Sequence, residues 1–303
     1  MAADVRRASS AARAVFETAD QALGFEISRL CFEGPEEELV RTEIQQPAIL
    51  TASVAFLRAL EERGELRPAF VAGHSLGEYT ALVASGALDF EDAVRLVHAR
   101  GRFMQEAVPQ GRGAMAAVMG CSARGVANAC EAVAEETGRI VAPANYNGPA
   151  QTVISGEAAA VEAACIRARQ AGAKRAIPLD VSAPFHCDLM APAAEKLALE
   201  LARVRFQEPA VPVVTNVEAE ACREAGRFAG LLERQVTAPV RFTEMIAFMR
   251  KCGIDRVLEI GPGRVLSGLV GRIDRAIARA SLSTVDGIQE ALAFAAEADA
   301  RAS

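Results

Sequence analysis

Apolar residues recur at helical spacing through the first sixty or so positions. Val15, Ala19, Ala22 and Leu23 mark one such stretch, and residues 44–60 (IQQPAILTASVAFLRAL) form a longer one that Gly64 and Pro68 close. A short apolar run, 69–72, then enters Gly73-His74-Ser75-Leu76-Gly77-Glu78, and a helical pattern follows over 79–85 before Gly86. The pattern predicts strand, tight turn, helix. Asp89 and Asp92 open the next helix, where acidic side chains complement the positive end of the helix dipole; Val94, Leu96, Val97 and Met104 are its apolar positions.

From Gly113 the texture changes. Residues 113–120 read as a strand, 123–136 as a helix and 140–144 as a strand. After Asn147-Gly148-Pro149 come a strand at 151–155, a helix over 158–171 and a strand over 175–181. That order, βαββαβ, is the ferredoxin-like arrangement. Strand and helix alternate around it instead. A helix is expected over 189–204, a strand over 211–215, helices over 225–235 and 242–249, and a strand over 257–260 that runs into Gly261-Pro262-Gly263. A helix from Val265 and an Ala-rich helix over 288–300 complete the chain. Apolar strands alternating with helices predict a parallel sheet covered on both faces. The expected architecture is α/β: a large domain from residues 1–109 and 183–303, with a small ferredoxin-like domain, 110–182, inserted into it.

Composition removes several alternatives. The 303 residues, 51% hydrophobic and 24% charged, suffice for a full core and exclude a disordered chain. Lys and Arg total 33 against 39 Asp and Glu, a net charge of −6, opposite to what a general nucleic-acid binder needs. Trp is absent, which removes a usual stacking platform for single strands. No apolar run reaches the roughly 18 residues of a membrane span. The cysteines (Cys31, Cys121, Cys130, Cys165, Cys187, Cys222 and Cys252) never form a CxxC pair. They fit neither a disulfide framework nor a zinc site, and point to a reducing, cytoplasmic setting. Arg, Ser and Ala near the N-terminus have the style of a transit peptide, but Asp4, Glu17 and Asp20 in the same pattern favour an ordinary surface helix.

Gly73-His74-Ser75-Leu76-Gly77 matches the nucleophile elbow, GxSxG. The turn is tight enough that glycine is needed on either side of Ser75, and it lifts the hydroxyl clear of the sheet. The Leu76 amide then lies beside it at a helix N-terminus, a natural oxyanion donor. An ordinary βα turn with an incidental Ser is the plain alternative. A serine nucleophile needs a base, and the chain offers only His74, His98 and His186. His74 adjoins the serine, and adjacent side chains on an extended approach point apart. His98 lies mid-helix, where a packed structural role is the default. His186 lies in a non-helical stretch at the return from the small domain, where ligand clefts form. Elimination favours it as the base over a satisfied structural histidine. Arg100 is either a solvated or ion-paired surface residue or a two-pronged holder of a carboxylate, a geometry Lys could not match.

Together these segments resemble the malonyl-CoA:acyl-carrier-protein transacylase family, the malonyltransferases of fatty-acid synthesis. The likeness runs through QQPAILTAS, VAGHSLGEYTALVASGAL, DAVRLVHARGRFMQEAVPQGRGAMAAV, ANYNGPAQTVISG, GAKRAIPLDVSAPFHCDLM, RQVTAPVRF and EIGPGRVLSGL, in order over nearly the whole chain. It implies an α/β-hydrolase-like domain with a ferredoxin-like insertion. It also implies ping-pong transfer of malonyl from malonyl-CoA to the phosphopantetheine thiol of acyl carrier protein. By this resemblance Ser75 would carry the malonyl ester, and His186 would take its proton and later activate the carrier thiol. Arg100 would pair with the malonyl carboxylate, and the Gln235 backbone carbonyl would orient the histidine in place of a triad carboxylate. Gln46 matches a pocket glutamine, Leu76 supplies an oxyanion amide, and His74 and Asn147 join the substrate-binding positions. Phe185 resembles the bulky residue that leaves little room for an α-methyl group. No cofactor, metal, nucleic-acid or membrane partner is implied, and the expected state is a cytoplasmic monomer.

The family layout also begins with a short strand and a Gly-Gln-Gly-Ser-Gln turn that supplies the other oxyanion amide. This chain starts at the helix after it, about seventeen residues on. Measured against that layout, the expectation is a rate lowered about a hundredfold or more and an opened apolar sheet edge. Two rival readings remain. A thioesterase of the α/β-hydrolase type shares the elbow but normally places its histidine late, after an acid. A carrier-docking homologue without catalysis would use a basic face, for which Arg264, Arg272, Arg275, Arg279 and Lys251 are candidates against a plain solvated helix face.

Overall fold

The computed structural model describes residues 1–302. It opens with helices α1 (Ala3–Ala8), α2 (Ser10–Leu23), α3 (Ile27–Glu33), α4 (Glu36–Leu39) and α5 (Thr42–Glu61). Ser9 caps α2 by accepting from the Ala12 amide, and Gly24 ends it in the left-handed conformation. Strand β1 (Val71–Ala72), α6 (Leu76–Ala84) and α7 (Phe90–Ala107) follow. Asp89 caps α7 through the Glu91 and Asp92 amides. From Gln46 to Leu60, α5 is mostly buried because it threads the main core. It meets α7 closely at Gly101, where a Cβ would lie 2.6 Å from the Thr42 carbonyl oxygen. That close approach brings the faces carrying Gln46 and Arg100 together.

The middle of the chain forms β2 (Gly113–Met119), α8 (Ala123–Thr137), β3 (Val141–Gly148), β4 (Gln151–Glu157), α9 (Ala158–Gln170) and β5 (Arg175–Pro178). Its four strands are ordered β3-β4-β2-β5, every neighbouring pair antiparallel. Strand alternation sorts the two faces. Ala116, Val118 and Ile154 pack with Val126 and Val133 of α8 and with Val161 and Ala164 of α9. Met115, Ala117, Ala144 and Val153 cluster separately, against Phe185.

The chain returns through α10 (Ala191–Leu201), β6 (Val213–Val214), β7 (Ala221–Cys222), α11 (Ala225–Thr237), α12 (Phe242–Lys251), β8 (Arg256–Ile260), α13 (Val265–Ile273), β9 (Ala278–Leu282) and α14 (Ile288–Ala302). The result is α/β, but the single parallel sheet expected from the pattern is corrected. β1 pairs with β6 in parallel, β7 joins β6 antiparallel, and β8 with β9 makes a separate parallel pair. The apolar runs at 69–72 and 211–215 yield strands of only two residues each. Pro212 has no amide proton to extend the ladder upstream; its carbonyl accepts from Val71. The strand expected over 175–181 ends at Pro178, with one further bond from the Leu179 amide to the Met115 carbonyl. Beside the elbow, the Val240 amide donates to Ala144 and the Tyr146 amide to Val240, each at 2.9 Å, tying β3 to the segment before α12.

Among the described residues no helix is long and apolar enough to cross a membrane, and no cluster of three or more His, Cys, Asp or Glu is arranged to hold a metal. All the cysteines are free, and all but Cys252 are buried.

Candidate active site

Ser75 sits between β1 and α6 at φ 52° and ψ −106°, a backbone conformation that side-chain-bearing residues rarely adopt. Gly73 makes the turn possible, since a Cβ there would fall 2.0 Å from the Gly77 carbonyl carbon. The requirement is one-sided. A Cβ at Gly77 would meet nothing within 4 Å. The expectation of an obligatory glycine on both sides of Ser75 is therefore corrected: Gly73 must clear the Gly77 backbone, and Gly77 itself has room. Leu76 is the first residue of α6, so its amide is among those without an intrahelical acceptor.

Positive φ recurs at His186, at 60°. Its Nε2 lies 2.8 Å from Ser75 Oγ, and its Nδ1 lies 2.8 Å from the Gln235 main-chain oxygen. A carbonyl only accepts, so Nδ1 carries the proton and Nε2 presents its lone pair to the hydroxyl. Burial and then the Arg100 charge push this imidazole down to about 3, against the pull of the Gln235 carbonyl. The ring is neutral at physiological pH, the form that can accept a proton.

Arg100 is 2% exposed, which removes the surface reading. Its Nη2 donates to Ser75 Oγ at 3.0 Å and to Gln235 Oε1 at 2.9 Å, and its Nη1 donates to Gln46 Oε1 at 2.8 Å. The Tyr79 ring lies 5.6 Å from the guanidinium carbon. These acceptors are all uncharged, and Nε has no hydrogen-bond partner. A buried cation held only by neutral oxygens is well placed to attract a carboxylate.

Two residues of this cluster went unread in the sequence. Glu78, 1% exposed, accepts from Gln235 Nε2 at 2.7 Å and from the Asn216 amide at 3.1 Å. Asn216 Oδ1 accepts from the Ser75 amide at 2.6 Å, and its Nδ2 donates to the Gly73 carbonyl at 2.7 Å, so it clamps the elbow from both sides. Burial raises the Glu78 carboxyl to about 7, with the bonds from Gln235 and Asn216 opposing. The available signals were slight: an acid three residues after Ser75, and a polar residue closing the apolar run VPVVT.

The remaining positions fall around this centre. His74 turns to Asn147, its Nε2 2.8 Å from Oδ1, with its ring 5.5 Å from that of Phe242. Burial lowers its pKa, so it too is neutral. Phe185 precedes His186 and packs on the Met115 cluster. His98 bonds the Glu43 carbonyl through Nδ1 at 2.8 Å and lies beside Phe25, a structural role as expected. Arg264, Arg272, Arg275, Arg279 and Lys251 are exposed.

The acyl transferase domain model matches residues 1–286. The malonyl CoA-acyl carrier protein transacylase of Escherichia coli (strain K12) is 47% identical over 292 residues, covering 96% of this chain and 94% of that protein. The Bacillus subtilis (strain 168) transacylase is 48% identical over 282 residues, covering 93% of this chain and 88% of that protein. Among solved structures, the Coxiella burnetii malonyl CoA-acyl carrier protein transacylase matches with a TM-score of 0.94 at 43% identity, covering 97% of this chain and 92% of that one. A malonyl-transacylase in complex with its type II PKS acyl-carrier protein matches at 0.93 and 46% identity, covering 97% and 94%.

Proposed function

The chain belongs to the acyl transferase domain family, among the malonyl CoA-acyl carrier protein transacylases, and we propose that it moves malonyl from malonyl-CoA to the phosphopantetheine thiol of acyl carrier protein through an ester on Ser75. The observation that carries this reading is the shared oxygen: Ser75 Oγ faces His186 Nε2 and receives a hydrogen bond from Arg100 Nη2. A proton acceptor and a buried carboxylate-holding cation thus converge on one nucleophile. A simple thioesterase has no use for that cation.

In the first half-reaction the Ser75 proton passes to His186 Nε2 as Oγ attacks the thioester carbonyl. The Leu76 amide faces the oxyanion, the C–S bond breaks, and the histidine proton leaves with the CoA thiol. In the second, the carrier thiol gives its proton to Nε2, its sulfur attacks the ester, and the C–O bond breaks. The proton then returns to Ser75. Throughout, the Gln235 carbonyl holds Nδ1–H, doing for this histidine what a carboxylate does in a triad. Arg100, braced by Gln46 and Gln235, takes the malonyl carboxylate. Phe185 narrows the space beside the α-carbon, and His74 with Asn147 lines the side facing β3.

We further read the fold as an α/β-hydrolase-like domain, residues 1–109 and 183–303, carrying a ferredoxin-like insertion over 110–182. The strand order β3-β4-β2-β5, with α8 and α9 sharing one apolar cluster, supports that reading.

The test is intact mass after brief exposure to malonyl-CoA, beside Ser75→Ala and acetyl-CoA controls. A gain of one malonyl group, absent in the alanine variant and weak with acetyl-CoA, is expected. An adduct that survives Ser75→Ala, or acetyl uptake equal to malonyl uptake, would overturn the proposal.

A further inference from the structure

Glu78 takes no part in the proton route above, yet its carboxylate is buried beneath the elbow. Its Oε2 accepts from Gln235 Nε2 and the Asn216 amide, while Oε1 has no hydrogen-bond partner. Keeping a carboxylate in the interior is costly, and an acid in a helix's first turn complements the dipole as well from solvent. Something at this position therefore requires an acceptor.

Both functional side chains are aimed through Gln235. Its main-chain oxygen accepts from His186 and its side-chain Oε1 accepts from Arg100. A primary amide has two ends of nearly the same shape and opposite hydrogen-bonding sense. Flipped, Nε2 would face the Arg100 guanidinium, donor against donor, and one brace of that cation would be lost. Glu78 Oε2 already accepts from the main-chain amide of Asn216, and a proton on the carboxyl would sit on the unpartnered Oε1. Glu78 therefore offers Gln235 an acceptor in either protonation state and demands Nε2 on its own side. The Ser75 carbonyl, 3.0 Å from Nε2, makes the same demand over a longer distance.

We propose that Glu78 is a positioning residue that selects the orientation of the Gln235 amide and thereby aims Arg100 at the substrate carboxylate. The proposal rests on the malonyl-transfer reading and on the place of Arg100 within it.

Two variants separate acceptor geometry from charge. Glu78→Gln keeps the length and one accepting oxygen but loses the charge. Glu78→Asp keeps the charge but draws the acceptor back by about 1.5 Å, out of hydrogen-bond reach of Gln235 Nε2. Acylation by malonyl-CoA and by acetyl-CoA is followed by intact mass over a range of donor concentrations. The Gln variant is expected to keep the malonyl-to-acetyl preference within about threefold. The Asp variant is expected to lose about tenfold or more of it, chiefly through a raised malonyl-CoA KM. An Asp variant with unchanged preference, a Gln variant that loses as much as Asp, or a proportional loss with both donors would each overturn this assignment alone. Absence of malonyl on Ser75 in the unsubstituted protein would instead overturn the transfer reading, and this assignment with it.

Discussion

Arg100 donates to the hydroxyl oxygen of Ser75 across 3.0 Å, and that oxygen lies 2.8 Å from His186 Nε2. The hydroxyl therefore accepts from a fixed cation while directing its proton toward a neutral base. In the proposed reaction the cation would stabilise the alkoxide character that develops as the proton departs. It is also the one charged group at the nucleophile able to distinguish a carboxylated acyl chain from a plain one. Arg100→Lys keeps the charge but cannot span Gln46 and Gln235 in a planar fork. Its kcat/KM for malonyl-CoA is expected to fall by about a hundredfold, with a much smaller change for acetyl-CoA. Steady-state kinetics with both donors checks this, and equal losses would take Arg100 out of carboxylate recognition.

Backbone strain at the nucleophile has a measurable consequence. Ser75 holds φ 52° and ψ −106°, a conformation that costs about 1–3 kcal/mol in any residue with a Cβ. Ser75→Ala keeps the strain, whereas Ser75→Gly releases it at some cost in unfolded-chain entropy. Both variants should be inactive. In urea denaturation the glycine variant should be the more stable by about 1 kcal/mol. An alanine variant of equal or greater stability would show that the elbow is not strained.

The two glycines of the elbow should respond differently to the same change. Gly73→Ala drives a methyl into the Gly77 backbone, 2.0 Å away, with no flexible side chain to yield. It is expected to cost about 3 kcal/mol or more, or to prevent folding. Gly77→Ala adds a methyl where nothing lies within 4 Å, on a helix that favours alanine, and should stay within about 1 kcal/mol of the parent. Thermal unfolding of the pair decides the matter.

What the sequence disclosed follows from how locally each feature is determined. α5, α7, α8 and α12 carry their own periodicity, α7 and α8 add side-chain caps at Asp89 and Ser122, and all form close to where the pattern puts them. The meeting of Ser75 and His186 could be anticipated because few residue types are candidates for nucleophile or base, and the resemblance pointed to the Gln235 carbonyl. Strands β1 and β6 were overextended because pairing length depends on the partner, and Pro212 ends the donor row. β9 was missed because ARASL, although it alternates, carries no β-branched or aromatic residue to mark a strand. Arg100 stood open between surface and pocket until its 2% exposure decided it. Glu78 and Asn216 stayed hidden for the same reason. An acid in a first helical turn reads as a solvent-facing dipole partner, and only tertiary packing buries it.

Glu78 and His186 make opposite contributions to the pH dependence of stability. The Glu78 carboxyl is raised from 4.5 to about 7, so the folded state holds its proton more tightly than the unfolded chain does. Its contribution is fully present below 4.5 and is lost as pH rises through about 7. The His186 imidazole is lowered from 6.5 to about 3, so its contribution is present above 6.5 and is lost as pH falls toward 3. Between pH 4.5 and 6.5 the two slopes oppose each other, and together they leave the unsubstituted protein's stability nearly flat. Glu78→Gln removes one slope and leaves the other. The variant's unfolding free energy should then climb across that window. Relative to the parent, it should gain roughly 2–3 kcal/mol between pH 5 and pH 8. Urea denaturation of both proteins at pH 5, 6, 7 and 8 measures the difference directly. A difference that stays constant across the series would mean that Glu78 titrates alike in the folded and unfolded chain, and that burial does not raise its pKa.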